Sequence, residues 1–326
     1  MKLIVQIPCL NEEKTIGRTI ADIPRRIPRI DKVEVLVIDD GSTDRSREMA
    51  RKAGADHLIG FTNRKGLARA FSAGIDAALK MGADIIVNTD ADNQYRGEDI
   101  PRLIAPILEK KADIVVGDRE VENIEHFSLI KKALQKIGSW VVRKLSGTKI
   151  PDAACGFRAY DREAAFSLNV VSNFSYTLET LIQAGKGDLA VAHVTIQTNP
   201  QTRPSRLFTS TFEYLKRSVA TLIRIYTMYE PLKVFSLIGG ALILGGTALS
   251  LRFLYYFFTE GGRGHIQSLI FAAILLIVGF QVLVIGLLAD TIAANRKLTE
   301  SALRRVKKLE LEANEKKAVS PEKKSS

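Results

Sequence analysis

The sequence predicts an α/β domain followed by a hairpin of two membrane-spanning helices. Three observations lead there. Between residues 3 and 117, short apolar runs alternate with segments of helical periodicity, the pattern of a parallel sheet flanked by helices. Several of these runs stop abruptly at carboxylates and amides, and open α/β sheets bind ligands just beyond such strand ends. Two long apolar stretches, Val234–Phe258 and Ser268–Leu288, hold a single charge, Arg252. Each exceeds the roughly 20 residues a helix needs to cross a bilayer core.

Leu3–Pro8 reads as the first strand, and Glu12–Ile23 as a helix with Ile16, Ile20 and Ile23 on one face. Val33–Ile38 is the second strand, and Asp44–Ala53 a helix capped by Ser42 or Thr43. His57–Gly60 is a short strand. Gly66–Met81 is a helix whose inner face carries Leu67, Ala70, Phe71, Gly74, Ile75 and Ala78. Ile85–Thr89 is a buried strand, Pro101–Lys110 a helix and Ile114–Gly117 another strand.

After Asp118 the alternation loosens. His126–Leu145 has the pattern of a basic amphipathic helix, Pro151–Arg162 is rich in turn residues, and Arg162–Asn169 and Tyr176–Ala184 look helical. Leu189–Thr195 reads as a late strand. Phe208–Tyr226 mixes Leu, Phe, Tyr and Ile with Lys216, Arg217 and Arg224. That composition suits a helix lying in the membrane interface, or an ordinary domain helix. Beyond Asp290 a polar helix is expected to about Lys317, then a disordered tail from Ala318 to Ser326. The expected division is a catalytic domain over 1–207, an interfacial linker over 208–232, the two spans within 233–289, and a helix with tail over 290–326.

Of the 326 residues 46% are hydrophobic and 25% charged, so the length allows one large domain or two smaller ones. The apolar stretches could form a buried core hairpin, but soluble helices seldom lack polar positions over several turns. The first stretch also begins too late for a signal peptide. Lys216, Arg217, Arg224 and Lys233 precede the spans, and Arg296, Lys297, Arg304, Arg305, Lys307 and Lys308 follow them. Positive-inside bias therefore puts both termini and the globular part in the cytoplasm. There Cys9 and Cys155 are two reduced thiols. The net charge of +11 gathers beside the spans, where anionic headgroups are the nearer partner. No zinc spacing or RNA-binding aromatic signature points to nucleic acid.

Chemistry concentrates at the strand ends. The apolar run of residues 85–87 leads into Asn88-Thr89-Asp90-Ala91-Asp92-Asn93-Gln94. Asp90 and Asp92 are two apart, so in an extended segment they leave the same side. Such a pair suits a hard divalent cation that also holds a diphosphate, although alone it could be a solvated acidic turn. Three further motifs stand beside it: Pro8-Cys9-Leu10-Asn11-Glu12, Asp39-Asp40-Gly41-Ser42-Thr43-Asp44, and Asn63-Arg64-Lys65-Gly66 before the helix with Ala70 and Gly74. Each has a plain alternative as a cap, a turn or a glycine for close packing. Their occurrence in this order is the stronger signal.

This ordered set resembles the signature of family 2 glycosyltransferases, which have the GT-A fold, and the likeness covers about the first 205 residues. Asn93-Gln94, the segment Asp152-x-x-Cys155-Gly156-Phe157-Arg158 and the two C-terminal helices narrow it toward polyprenyl-phosphate glycosyltransferases, the group that contains dolichyl-phosphate mannose synthases. The resemblance implies Mg²⁺ or Mn²⁺ on the donor diphosphate, held by Asp92 and Gln94, with Asp90 a ligand or a ribose contact. It implies that the nucleotide sugar meets Pro8, Leu10, Asn11, Glu12, Asp39, Asp40, Lys65, Gly66, Asp90 and Ala91, with Asp40 the stronger choice for the base.

The acceptor so implied is a polyprenyl phosphate, already an anion, which must be aligned opposite the leaving diphosphate. A single displacement inverts the anomeric centre. Arg119, Arg158, Arg203 and Arg206 are candidates for gripping the two phosphates, since guanidinium does so bidentately. The loop Thr202-Arg203-Pro204-Ser205-Arg206 departs from the Gly-Glu-Ser-Lys type common in the group. Asp152 falls at an acceptor-side acid position, as orienter or base, or as the ion-pair partner of Arg158. Some relatives form tetramers, so a homo-oligomer is a further expectation. Two other readings compete. One is a family 2 transferase acting on a glycolipid or polysaccharide, against which the sequence lacks Gln-x-x-Arg-Trp and further spans. The other is a noncatalytic membrane adaptor that binds nucleotide sugar.

Overall fold

The computed structural model describes residues 1–120, 129–170, 176–200, 220, 223–224, 226–261 and 266–319. The chain forms two compact units, Met1–Ser218 together with Arg304–Ser326, and Val219–Leu303.

In the first unit the apolar runs become strands and the periodic segments helices. The order is β1 (Lys2–Cys9), α1 (Ile16–Ala21), β2 (Lys32–Asp39), α2 (Ser46–Lys52), β3 (His57–Gly60), α3 (Leu67–Lys80) and β4 (Ile85–Asn88). There follow α4 (Ile100–Leu108), β5 (Ile114–Asp118), α5 (Leu129–Ser146), β6 (Arg158–Asp161), α6 (Arg162–Ser167), α7 (Tyr176–Lys186) and β7 (Val191–Thr195). One sheet collects the strands in the order β3-β2-β1-β4-β6-β5-β7. Its central strands are buried on both faces: Leu3, Ile4, Val5, Ile7, Val35–Ile38 and Ile85–Val87 are at most 1% exposed. That is why they read as continuous apolar runs rather than alternating ones. The expected inner face of α3 is buried at Ala70, Phe71, Gly74, Ile75 and Ala78.

The sheet is mixed rather than wholly parallel. β6 pairs antiparallel with both β4 and β5. It falls inside the segment expected to be turns, because Arg158-Ala159-Tyr160-Asp161 begins and ends on a charge and offers no apolar run. Its hairpin-like entry into α6 is capped by Asp161, whose Oδ1 accepts from the Ala164 amide.

In the second unit, α8 spans Pro231–Glu260 and α9 starts at Ile266. Both are long and apolar enough to cross a membrane, and only 11% and 17% of their most apolar windows are buried, which argues against a soluble core hairpin. The two helices meet through glycines. A Cβ on Gly239 would stand 2.9 Å from the Gly279 carbonyl oxygen, and one on Gly279 would stand 3.0 Å from that of Gly239. Small residues at such crossings let apolar helices approach closely where no hydrophobic effect drives them together.

Helix α9 continues to Val319, two residues past the expected end; 320–326 lie outside the described residues, as does most of the expected interfacial segment 208–226. Its last part, from Arg304, belongs to the first unit. There Arg304 and Lys308 pair with Glu163, and Lys307 with Asp76.

Candidate active site

Strands β2, β1 and β4 are adjacent and parallel, so the loops that follow them leave one edge of the sheet. The motifs at Pro8–Glu12, Asp39–Asp44 and Asp90–Gln94 are thereby gathered. The first two loops are stitched by short polar side chains. The Asn11 amide donates to Ser42 Oγ at 2.9 Å, the Thr43 amide to Asn11 Oδ1 at 2.8 Å, and the Glu12 amide to Ser46 Oγ at 2.7 Å. Asn11 sits at φ 55, a left-handed position that Asn tolerates better than most residues. Gly41 turns at φ 78, and a Cβ there would stand 2.8 Å from the Arg64 amide nitrogen, so the turn is open to glycine alone.

Asp39 and Asp40 are buried at the end of β2, and each holds a neighbouring segment. The Lys65 amide donates to Asp40 Oδ1 at 2.7 Å and the Gly66 amide to Oδ2 at 2.9 Å, which ties the loop of Lys65 and Gly66 to this edge. The Ser42 amide and Arg47 Nε donate to Asp39. A carboxylate has about four acceptor positions, so both keep capacity for a further donor.

The Asp90–Gln94 turn is clamped from two sides. Thr19 Oγ1 donates to the Ala91 carbonyl at 3.1 Å. From beyond β7, the Asn199 amide donates to the Gln94 carbonyl at 2.8 Å, and Asn199 Nδ2 to the Asn93 carbonyl at 3.0 Å. Within the turn, the Gln94 amide donates to Asp92 Oδ1 at 3.1 Å and Asn93 takes φ 57. Burial raises the Asp90 carboxyl to about 7, and the charge of Asp92 adds to the rise. A buried carboxyl beside a second carboxylate is a donor set that a cation would satisfy. Among the described residues no group of three or more His, Cys, Asp or Glu could hold a metal. Two carboxylates therefore fit Mg²⁺ or Mn²⁺ only with substrate oxygens completing the shell, as Mg²⁺ sites on phosphates commonly have it.

On the far side of the turn stand Asp152 and its arginines. Asp152 pairs with Arg119, not Arg158. Arg119 Nε donates to Oδ2 at 2.6 Å and Nη2 to Oδ1 at 3.0 Å. Arg158 is fully buried and donates to the carbonyls of Cys155, Ala153 and Thr177 and to Thr180 Oγ1, each at 2.8 Å. Its guanidinium braces the 152–158 loop against α7 instead of presenting a free fork to a phosphate. Arg203 and Arg206 lie outside the described residues. Both cysteines are free and buried, and burial pushes each thiol up to about 12, which keeps them protonated and unreactive.

Three residues at this site were missed in the sequence: Asn88, Tyr95 and Tyr176. Asn88 Nδ2 donates to the Gly156 carbonyl at 2.9 Å and to Tyr176 Oη at 2.8 Å, while Gln6 Nε2 donates to Asn88 Oδ1 at 2.9 Å. The Gly156 amide donates to Tyr95 Oη at 3.1 Å. Tyr176 stacks on Phe71 with centroids 4.0 Å apart, and Tyr95 on Phe157 at 5.3 Å. The one available signal was Asn88 itself, a polar residue closing an otherwise apolar buried strand.

Comparison with known proteins agrees with this geometry. The family model described as Glycosyl transferase family 2 matches residues 4–166. The chain is 30% identical over 184 residues to an undecaprenyl-phosphate mannosyltransferase of Micrococcus luteus, covering 54% of this chain and 74% of that one. It is 28% identical over 307 residues to an undecaprenyl-phosphate 4-deoxy-4-formamido-L-arabinose transferase of Salmonella choleraesuis, covering 89% and 88%. Among solved structures it is similar in fold to glucosyl-3-phosphoglycerate synthase of Mycobacterium tuberculosis, crystallised with Mn²⁺, UDP and glucosyl-3-phosphoglycerate. The TM-score is 0.55 at 21% identity, over 69% of this chain and 78% of that one. A match over half the chain, on a mixed sheet whose strand ends carry the expected motifs, makes this chain a member of glycosyl transferase family 2.

Proposed function

We propose that this glycosyltransferase moves a single sugar from a nucleotide sugar to a polyprenyl phosphate at the cytoplasmic membrane face, with inversion. One observation carries the reading. The Asp90/Asp92 turn and the loop of Asp152 meet at one sheet edge, in a chain that also has two helices of membrane-spanning length. The similarity to an undecaprenyl-phosphate transferase, which extends over 89% of this chain and 88% of that one, supports the reading.

In this reading the Pro8–Glu12 loop, Asp39, Asp40, Lys65 and Gly66 frame the nucleoside, and Asp90, Asp92 and Gln94 hold Mg²⁺ or Mn²⁺. The cation, when bound, neutralises charge that builds on the departing diphosphate. The acceptor is already an anion, so no strong base is required. Its phosphate oxygen bonds to the anomeric carbon from the face opposite the leaving group. The breaking C–O bond leaves its electron pair with the nucleoside diphosphate. Asp152, paired with Arg119, orients the acceptor side, and Arg203 and Arg206 are the arginines left for the phosphates. The basic flanks at Lys216, Arg217, Arg296 and Lys297 support placing both termini in the cytoplasm.

The test is incubation of the full chain in detergent with Mg²⁺ or Mn²⁺, UDP- and GDP-sugars, and short polyprenyl phosphates. The expected product is a lipid-linked monosaccharide of inverted configuration, identified by mass and anomeric analysis. Transfer to a free oligosaccharide or a glycolipid, with none to polyprenyl phosphate, would overturn the reading.

A further inference from the structure

Gly156 is held on both sides of its peptide planes. Its amide donates to Tyr95 Oη, and its carbonyl accepts from Asn88 Nδ2 and, at 3.4 Å, from Tyr176 Oη. Asn88, Tyr95 and Tyr176 are each at most 3% exposed, and the aromatic stacks fix both phenol rings. The loop at this point therefore has little freedom to move. Its bare Cα faces Asp90. A Cβ at residue 156 would stand 3.2 Å from both Asp90 carboxylate oxygens and 3.0 Å from Tyr176 Oη.

From this we infer that Asn88 and Gly156 are positioning residues for Asp90, setting where its carboxylate lies relative to the Asp152 loop and hence to a bound divalent cation. The inference rests on the metal reading above and deepens it. Asn88 suits the role because it lies two residues before Asp90 on the same chain. A single side chain thus ties the strand that delivers the carboxylate to the loop that forms its wall. Partners that orient a ligand without touching the metal commonly change metal affinity about 10- to 100-fold.

The test is Mn²⁺ binding, read by electron paramagnetic resonance on the full chain in detergent, with UDP and separately GDP as the added probe. Gly156→Ala is expected to weaken Mn²⁺ binding about tenfold while the melting temperature stays near that of the unaltered chain. Contacts at 3.0–3.2 Å require shifts of only a few tenths of an ångström. Adding Tyr176→Phe removes the hydroxyl contact but leaves Asp90 crowded, so the double variant should remain weak. Asn88→Ala should weaken Mn²⁺ binding in the same direction; if it fails to fold, the two Gly156 variants still decide. Unaltered Mn²⁺ affinity in Gly156→Ala, or recovery on adding Tyr176→Phe, overturns the inference and leaves the metal reading standing. No Mn²⁺ bound by the unaltered chain with either nucleotide overturns both.

Discussion

Arg119 and Asp152 form a bidentate ion pair whose side chains are only 7% and 2% exposed. Arg119 follows directly on β5, and Asp152 opens the loop that leads into β6, so the pair closes the top of two neighbouring strands. A buried pair of this kind adds little over an apolar substitute, but removing one partner strands the other charge. Arg119→Ala and Asp152→Ala should each cost about 3–5 kcal/mol of stability. Arg119→Lys, which keeps the charge and loses the fork, should cost less. Thermal or denaturant unfolding of the full chain in detergent measures the order. Equal losses for Lys and Ala would mean that the charge without the fork geometry contributes nothing.

The ordering of strands and helices up to β5 was legible because its elements are periodic or apolar throughout. Beyond Asp118 legibility failed at particular residues. β6 hides behind Arg158, whose charge argues for a loop until four protein acceptors are seen to surround it. Arg158 resembled a phosphate ligand in the sequence through its place in the Gly156-Phe157-Arg158 motif, whereas in the structure its guanidinium donates to those four acceptors. The Asp90/Asp92 pair was legible from its strand end. The pairing of Asp152 with Arg119 was not, since 33 residues separate them and Arg158 lay nearer, within the same motif.

Removing Asp92 should separate metal-dependent chemistry from folding. Among the described residues its carboxylate accepts only the Gln94 amide, within its own turn, so Asp92→Ala should leave the unfolding transition nearly unchanged. Loss of a charge-stabilising group aimed at a leaving group typically costs about 10²-fold or more in rate. Transfer assayed against a Mn²⁺ titration checks this. Wild-type turnover at the same Mn²⁺ concentration would remove Asp92 from the site.

Glu34 sets a pH limit on stability away from the site. Burial alone would raise its carboxyl, but hydrogen bonds from Lys2, Lys32 and His57 override that and hold it at about 2. Asp56 stands nearby and is itself engaged by Arg25. The folded value lies below the usual carboxylate value of about 4.3, so the contribution is complete above that pH. It is lost as pH falls from roughly 4.5 toward 2. The full shift corresponds to about 3 kcal/mol, which solvent screening at the exposed partner Lys32 reduces to about 2 kcal/mol at neutral pH. Glu34→Gln should lower stability at pH 7 by about that amount and flatten the acid limb. An acid limb of unchanged slope would show that other carboxylates govern it.

The helix hairpin can be tested with two adjacent glycines that differ only in what they face. A Cβ on Gly239 meets the Gly279 carbonyl at 2.9 Å and Leu283 at 2.9 Å, whereas one on Gly240 meets nothing within 4 Å. Alanine at Gly240 should be neutral or slightly stabilising, by up to about 1 kcal/mol, because it lowers the entropy of the unfolded helix. The same change at Gly239 pushes backbone against backbone, which no rotamer can relieve. Overpacking of that sort costs about 1–3 kcal/mol. Thermal unfolding of Gly239→Ala and Gly240→Ala in one detergent therefore compares identical chemistry at a packed and an open position of one helix. A lower midpoint for Gly239→Ala alone supports close contact at the Gly239–Gly279 crossing. Matching midpoints would mean that the two helices do not touch there.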